Sequence, residues 1–247
     1  PRFSAGNRAF RPFTAHQNYV MIAPEILFCK IFSREKETNM QIFDMDGTLI
    51  DSNGIWKDVD TAFLAKRGLP YTKEYYEGVA HTIFPLAAKF TREFCHLPES
   101  EEAIMAEWMD MAGDLYGTSV PVKPGVRAYL EKLRAAGERM IVVTSAVPVH
   151  CRTALTHLAL MPYFERVIFA QELHREKKDP RLWQLAAEMM GVRPEDCTLY
   201  DDSVEACRGA KAAGMQTVGV YDPYFAATEP EMRAVCGRYI RSFEELI

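Results

Sequence analysis

The chain of 247 residues is long enough for one large domain, or for a core domain with a smaller one attached. Its 48% hydrophobic and 26% charged residues are the balance of a globular protein, not of a disordered one. A net charge of -5 with no Lys/Arg run excludes the concentrated basic face of a nucleic-acid binder, and no apolar run is long enough to cross a bilayer.

The first 39 residues, rich in Arg, Phe and polar residues, show no clear period. They read equally as an extension ahead of a start at Met40 or as an arm packed on the core. From Met40 the pattern sharpens. Met40–Phe43 is predicted as a strand that ends at Asp44. Residues 55–116 read as an all-helical insert: Ile55, Val59, Phe63 and Leu64 recur at helical spacing, as do Ile104, Met105, Trp108, Met111, Ala112 and Leu115. Pro121 and Pro124-Gly125 mark the return to the core. A helix over Val126–Ala136 closes on Gly137, a strand runs over 139–143, a helix over 149–160 and a strand over Arg166–Phe169. Asp179-Pro180 opens the next helix as N-cap and first helical residue, and Gly191 ends it. A strand over 197–200, a helix over 204–213 and a strand over 217–220 complete the alternation. Continuous apolar strands alternating with helices predict a Rossmann-like α/β fold, a parallel sheet with helices on both faces. The domain plan is therefore a Rossmann-like core of 40–54 and 117–247, with a helical insert of 55–116.

In such folds ligands bind beyond the carboxyl ends of the strands. The residues standing there are Asp44-Met45-Asp46-Gly47-Thr48, Thr144-Ser145, Lys177-Lys178 and Asp201-Asp202-Ser203. Carboxylates gathered from separate strand ends repel one another unless a cation lies among them, and an all-oxygen set suits Mg²⁺. The 6 cysteines form no CxxC pair and the 6 histidines no HExxH pair, so a zinc site is not expected. Cysteines spaced this way read as reduced thiols, which places the protein in the cytoplasm. Thr144 and Lys177 suit phosphoryl oxygens, Asp44 can attack phosphorus, and Asp46 can act as general acid and base.

The run Ile42-Phe43-Asp44-Met45-Asp46-Gly47-Thr48-Leu49-Ile50-Asp51-Ser52 resembles the first motif of the haloacid dehalogenase superfamily. Ile141-Val142-Val143-Thr144-Ser145, Lys177 before Pro180, and Leu199-Tyr200-Asp201-Asp202-Ser203 resemble the second, third and fourth, in order. The resemblance implies Asp44 as nucleophile and metal ligand, and Asp46 as acid/base with its main-chain carbonyl on the metal. It implies Thr144, with Ser145, on the phosphoryl group, and Lys177 holding the nucleophile and phosphate charges. It also implies Asp202 and Asp201 on Mg²⁺, and Gly47 letting the backbone turn close to the phosphate. Lys178 stands where the family often has Pro, which leaves it as the other candidate lysine. The insert resembles the cap of the branch that holds phosphatases and β-phosphoglucomutase.

The function expected is a Mg²⁺-dependent phosphomonoesterase acting on a small phosphorylated metabolite through an aspartyl-phosphate. A phosphomutase of the β-phosphoglucomutase type is the first alternative, and a catalytically idle binding or regulatory protein is the alternative of another class. Dehalogenation does not use a second acid such as Asp46. The stripe Met105, Trp108, Met109, Met111 reads as cap core, His150-Cys151 as structural, and His81, Arg67 and Arg92 as cap residues without a selected role.

Overall fold

The computed structural model describes residues 39–79 and 84–247. The arm of residues 1–39 lies, but for Asn39, outside the described residues, and so does His81. The core strands are β1 (Met40–Phe43), β2 (Arg139–Thr144), β3 (Arg166–Phe169), β4 (Cys197–Asp201), β5 (Gln216–Val220) and β6 (Arg238–Ile240). They form one sheet in the order β3-β2-β1-β4-β5-β6. Every pairing is parallel: Ile42 lies opposite Ile141 on one side and Leu199 on the other. The chain first builds outward from β1 to β3, then returns to lay β4 on the other side of β1. The crevice at the carboxyl ends of β1 and β4 is therefore the topological switch point, where a doubly wound sheet leaves room for a ligand.

Alternation along the strands sends side chains to two covered faces. Phe43, Val142, Tyr200 and Val220 pack towards helices α5 (Val126–Ala136) and α6 (Pro148–His157). Ile42, Ile141, Val143 and Leu199 pack towards α7 (Pro180–Met190) and α8 (Val204–Ala212). The Phe43 and Tyr200 rings stack at 4.7 Å across the switch point, which makes this part of the sheet stiff. Helix ends follow their local chemistry. The Asp179 carboxylate accepts from Arg181 N at 2.9 Å with Pro180 in the first turn, and Gly137 and Gly191 close α5 and α7 at φ 75° and 68°. The sheet also holds β6 and a short helix α9 (Glu229–Val235), neither expected from sequence. A three-residue edge strand is too short to show a period.

The insert is helical as expected: α1 (Ile55–Ala65), α2 (Lys73–Val79), α3 (Phe84–Phe94) and α4 (Glu101–Thr118). Its last helix runs two residues past the expected boundary at 116. Arg67 is an internal tie of this cap. It bonds Glu99 at 2.9 Å and Glu107 at 2.7 Å and lies over the Phe63 ring, while Arg92 pairs with Glu101 at 3.4 Å. The two chain crossings between cap and core run side by side. Asp51 N donates to Pro121 O and Lys123 N to Leu49 O, both at 3.0 Å, and Ile50 bridges Val122 antiparallel.

Candidate active site

Asp44 follows β1 directly, and its N–H donates to Tyr200 O of β4 at 2.9 Å, so the switch-point backbone fixes its place. Its buried carboxylate receives an ion pair from Lys177, which reaches in from the loop before α7. Lys177 also pairs with Asp201 at 2.8 Å, while the second Asp201 oxygen accepts from Ser203 N at 2.9 Å. Burial alone would lower the Lys177 pKa, but the charges of Asp201 and Asp44 raise it above the usual lysine value. Lys178 turns to the surface and pairs with Glu176, so Lys177 is the lysine at the acidic cluster.

Asp44, Asp201 and Asp202 are all buried, and one candidate ligand oxygen from each lies within 4.8 Å of the others. Three carboxylates face the single ammonium of Lys177. Burial first, then the Asp44 and Asp201 charges, push Asp202 well above the usual carboxylate range. Among the described residues the Asp202 carboxylate accepts a side-chain hydrogen bond from the Asn53 amide alone, at 2.7 Å. A buried acidic set short of positive charge, with oxygen donors alone, fits a hard divalent cation.

Asp46 sits two residues on, and Ser52 at 2.5 Å and Tyr116 at 2.8 Å both donate to its Oδ1. Its other oxygen has no hydrogen-bond partner among the described residues. Burial, then the nearby Asp44 charge, pushes Asp46 up to about 6, a value suited to both giving and taking a proton near neutral pH. Gly47 makes the turn with φ 77°. A Cβ there would run into Asn53 and Asp202, so the backbone can lie against the acidic cluster only without a side chain. Gly47 does not line the cavity. Its carbonyl is held by Lys123 Nζ at 2.6 Å, which also bonds Tyr221 O at 2.7 Å and Asp222 at 2.9 Å.

A cavity of about 490 Å³ opens over these groups, lined among others by Asp44, Asp46, Thr144, Ser145, Lys177, Asp201 and Asp202. The Thr144 hydroxyl accepts from Ala146 N at 3.0 Å, which fixes the loop after β2, and Ser145 lies exposed on the rim. Sequence reasoning did not single out Asn53, Trp56, Tyr116 or Lys123. Tyr116 had a signal: a polar-tipped residue one turn beyond Ala112 on the buried stripe of α4. His150, expected to be structural, lines this cavity too. It bonds Met109 O at 3.0 Å and stacks on Tyr116, so α6 carries the cap helix α4.

The model of the haloacid dehalogenase-like hydrolases matches residues 41–220. The chain belongs to this family. Curated relatives are similar over most of their length. The fructose-1-phosphate phosphatase YqaB of Escherichia coli is 28% identical, over 72% of this chain and 94% of its own. The GMP/IMP nucleotidase YrfG of the same organism is 27% identical, over 76% and 85%. The phosphorylated carbohydrates phosphatase of Thermotoga maritima is 24% identical, over 72% and 82%. Among solved structures, a putative β-phosphoglucomutase from Thermotoga maritima superposes with a TM-score of 0.76 at 23% identity. It covers 84% of this chain and 96% of that one, a likeness of fold. This haloacid dehalogenase-like chain is a hydrolase acting on phosphoric monoesters, and among its described residues no helix is long and apolar enough to cross a membrane.

Proposed function

We propose that this chain is a cytoplasmic Mg²⁺-dependent phosphatase of a small phosphorylated metabolite, with Asp44 as nucleophile. The observation that carries the reading is the convergence of Asp44, Asp201 and Asp202 around Lys177, with Asp46 two residues from the nucleophile. Mg²⁺ held by Asp44, Asp201 and Asp202, with the main-chain carbonyl of Asp46, would supply positive charge to the phosphoryl oxygens. Lys177 keeps the Asp44 carboxylate in place, while Thr144 and Ser145 bind the phosphoryl group from the end of β2. An Asp44 oxygen attacks phosphorus and the bond to the ester oxygen breaks, while Asp46 gives its proton to that leaving oxygen. After the alcohol departs, Asp46 takes a proton from water, whose oxygen attacks phosphorus. Inorganic phosphate leaves and Asp44 is regenerated. Cytoplasmic placement rests on the thiols Cys95, Cys151, Cys197, Cys207 and Cys236, none in a disulfide.

The test is turnover of p-nitrophenyl phosphate with and without Mg²⁺, in the wild type and in Asp44→Asn. Mg²⁺-dependent release of phosphate is expected, with a loss on the order of 1000-fold or more in the variant. Equal rates for the two proteins would remove Asp44 as nucleophile, and no turnover at all would favour the idle binding protein. Feeding β-glucose 1-phosphate with glucose 1,6-bisphosphate separates the mutase, which would form glucose 6-phosphate with almost no free phosphate.

A further inference from the structure

A second cavity of about 430 Å³ lies between the cap helices and the core segments that carry Val147 and Tyr224, and Trp56 and Val147 line both it and the cavity over Asp44. The two cavities therefore adjoin at these two side chains. The lining of the second is dominated by rings: Trp56, Tyr71, Tyr76, Phe84, Trp108 and Tyr224. The Trp56 and Phe84 rings meet edge to face at 5.4 Å, and Phe84 meets Trp108 at 5.5 Å, so these three form one continuous wall. Trp108 and Met109 of the α4 stripe, expected as cap core alone, line this space as well.

Among the described residues the charged lining residues are Lys57 and Asp60, three apart on α1 and therefore neighbours on one helix face. Lys57 makes no ion pair among the described residues. Asp60 accepts from the Tyr75 hydroxyl on one oxygen at 3.2 Å, and its other oxygen has no partner among the described residues. The lining therefore offers a donor and an acceptor side by side, set against aromatic walls.

Resting on the phosphatase reading above, we propose that the alcohol half of the substrate carries a flat heteroaromatic ring of the 6-oxopurine type, so that the substrate class is a purine nucleoside monophosphate. The ring lies among Trp56, Tyr71, Tyr76 and Phe84. Its carbonyl accepts from Lys57 and its ring N–H donates to Asp60. The phosphate stays over Asp44 while the ring passes Trp56 and reaches Asp60, one helical turn further along α1. A hexose fits the described lining poorly, because each of its hydroxyls needs a polar partner and most of that described wall is carbon. A methylated ammonium group is disfavoured by Lys57 and fills little of the volume.

Three measurements on the full chain test this. With Mg²⁺, kcat/KM for GMP is expected to exceed that for ribose 5-phosphate, which lacks the ring, by 100-fold or more. It is expected to exceed that for AMP, which reverses the donor and acceptor, by 10-fold or more. In Asp60→Asn, which keeps an acceptor for Tyr75, the advantage of GMP over ribose 5-phosphate should shrink at least 10-fold, chiefly through KM. Titration calorimetry with guanosine reads the cavity without any chemistry: binding is expected, and it should weaken at least 10-fold in Asp60→Asn. Equal turnover of GMP, ribose 5-phosphate and fructose 1-phosphate overturns the proposal, as does an absence of guanosine binding. Guanosine binding without turnover of any ester supports the cavity's role and overturns the phosphatase reading instead.

Discussion

Replacing Lys123 by methionine isolates the anchor beneath the catalytic loop. The ammonium is one-tenth exposed and Asp222 almost fully buried, and the lysine makes three hydrogen bonds, to Gly47 O, Tyr221 O and Asp222. Methionine fills nearly the same volume, so packing is kept while two carbonyls and a carboxylate lose their donor. Among the described residues, the Asp222 carboxylate then retains the Tyr224 N–H alone, at 2.8 Å. Removing one partner of a buried pair costs about 3–5 kcal/mol, since the other charge stays buried. For a domain of this size each kcal/mol lowers the melting temperature by about 2–4 °C, so a drop of about 6–20 °C is expected. Lys123→Met with Asp222→Asn should recover part of it, because the uncompensated charge is gone. Melting temperatures and urea midpoints of the wild type, both single variants and the double variant measure the coupling. A single variant within about 1 kcal/mol of the wild type would refute the anchoring argument.

Asp202→Ala should raise the Mg²⁺ concentration for half-maximal activity by about 10-fold or more, since one of the three proposed acidic ligands is lost; an unchanged midpoint in a Mg²⁺ titration removes Asp202 from the metal. Tyr116→Phe deletes one of two donors to Asp46 and should lower kcat about 2- to 10-fold with little change in melting temperature; an unaltered kcat shows that the hydroxyl does not position Asp46. Burial pushes Asp60 up to about 6 from an ordinary 3.8, so the folded chain holds a proton there that the unfolded chain has lost. Stability from this group is therefore present below pH 3.8 and is lost as pH rises to about 6. Asp60→Asn should gain about 1–3 kcal/mol over the wild type at pH 7.5 relative to pH 4, and unfolding curves that stay parallel across that range would contradict it.

Strand β1, helix α5 with its Gly137 cap and the Asp179-Pro180 start of α7 were legible because their signals are local: a buried apolar run, a residue in left-handed conformation, a side-chain cap. The acids Asp44, Asp46, Asp201 and Asp202 were legible because a parallel sheet puts the ends of its strands at one edge. Tyr116, Asn53 and Lys123 were not singled out, since each acts across the fold. Tyr116 reaches Asp46 from 70 positions away, Asn53 meets Asp202 across 149, and Lys123 joins Gly47 to Asp222. No spacing along the chain marks such pairs. The choice between Lys177 and Lys178 was likewise decided by direction: one side chain turns in to Asp44, its neighbour out to Glu176.

The side-by-side crossings at Asp51–Pro121 and Leu49–Lys123 bear on how such a protein can diversify. The insert leaves the sheet and rejoins it at one stitched point, so its two ends meet whatever lies between them. A lineage can lengthen, shorten or exchange the intervening helices while the register of β1 against β2 and β4 stays as it was. On the proposed reading, selectivity and chemistry would thereby be inherited on separable stretches of chain. Two ties still constrain the exchange: Tyr116, near the end of the exchangeable stretch, has to find Asp46, and α4 has to seat against His150 of α6.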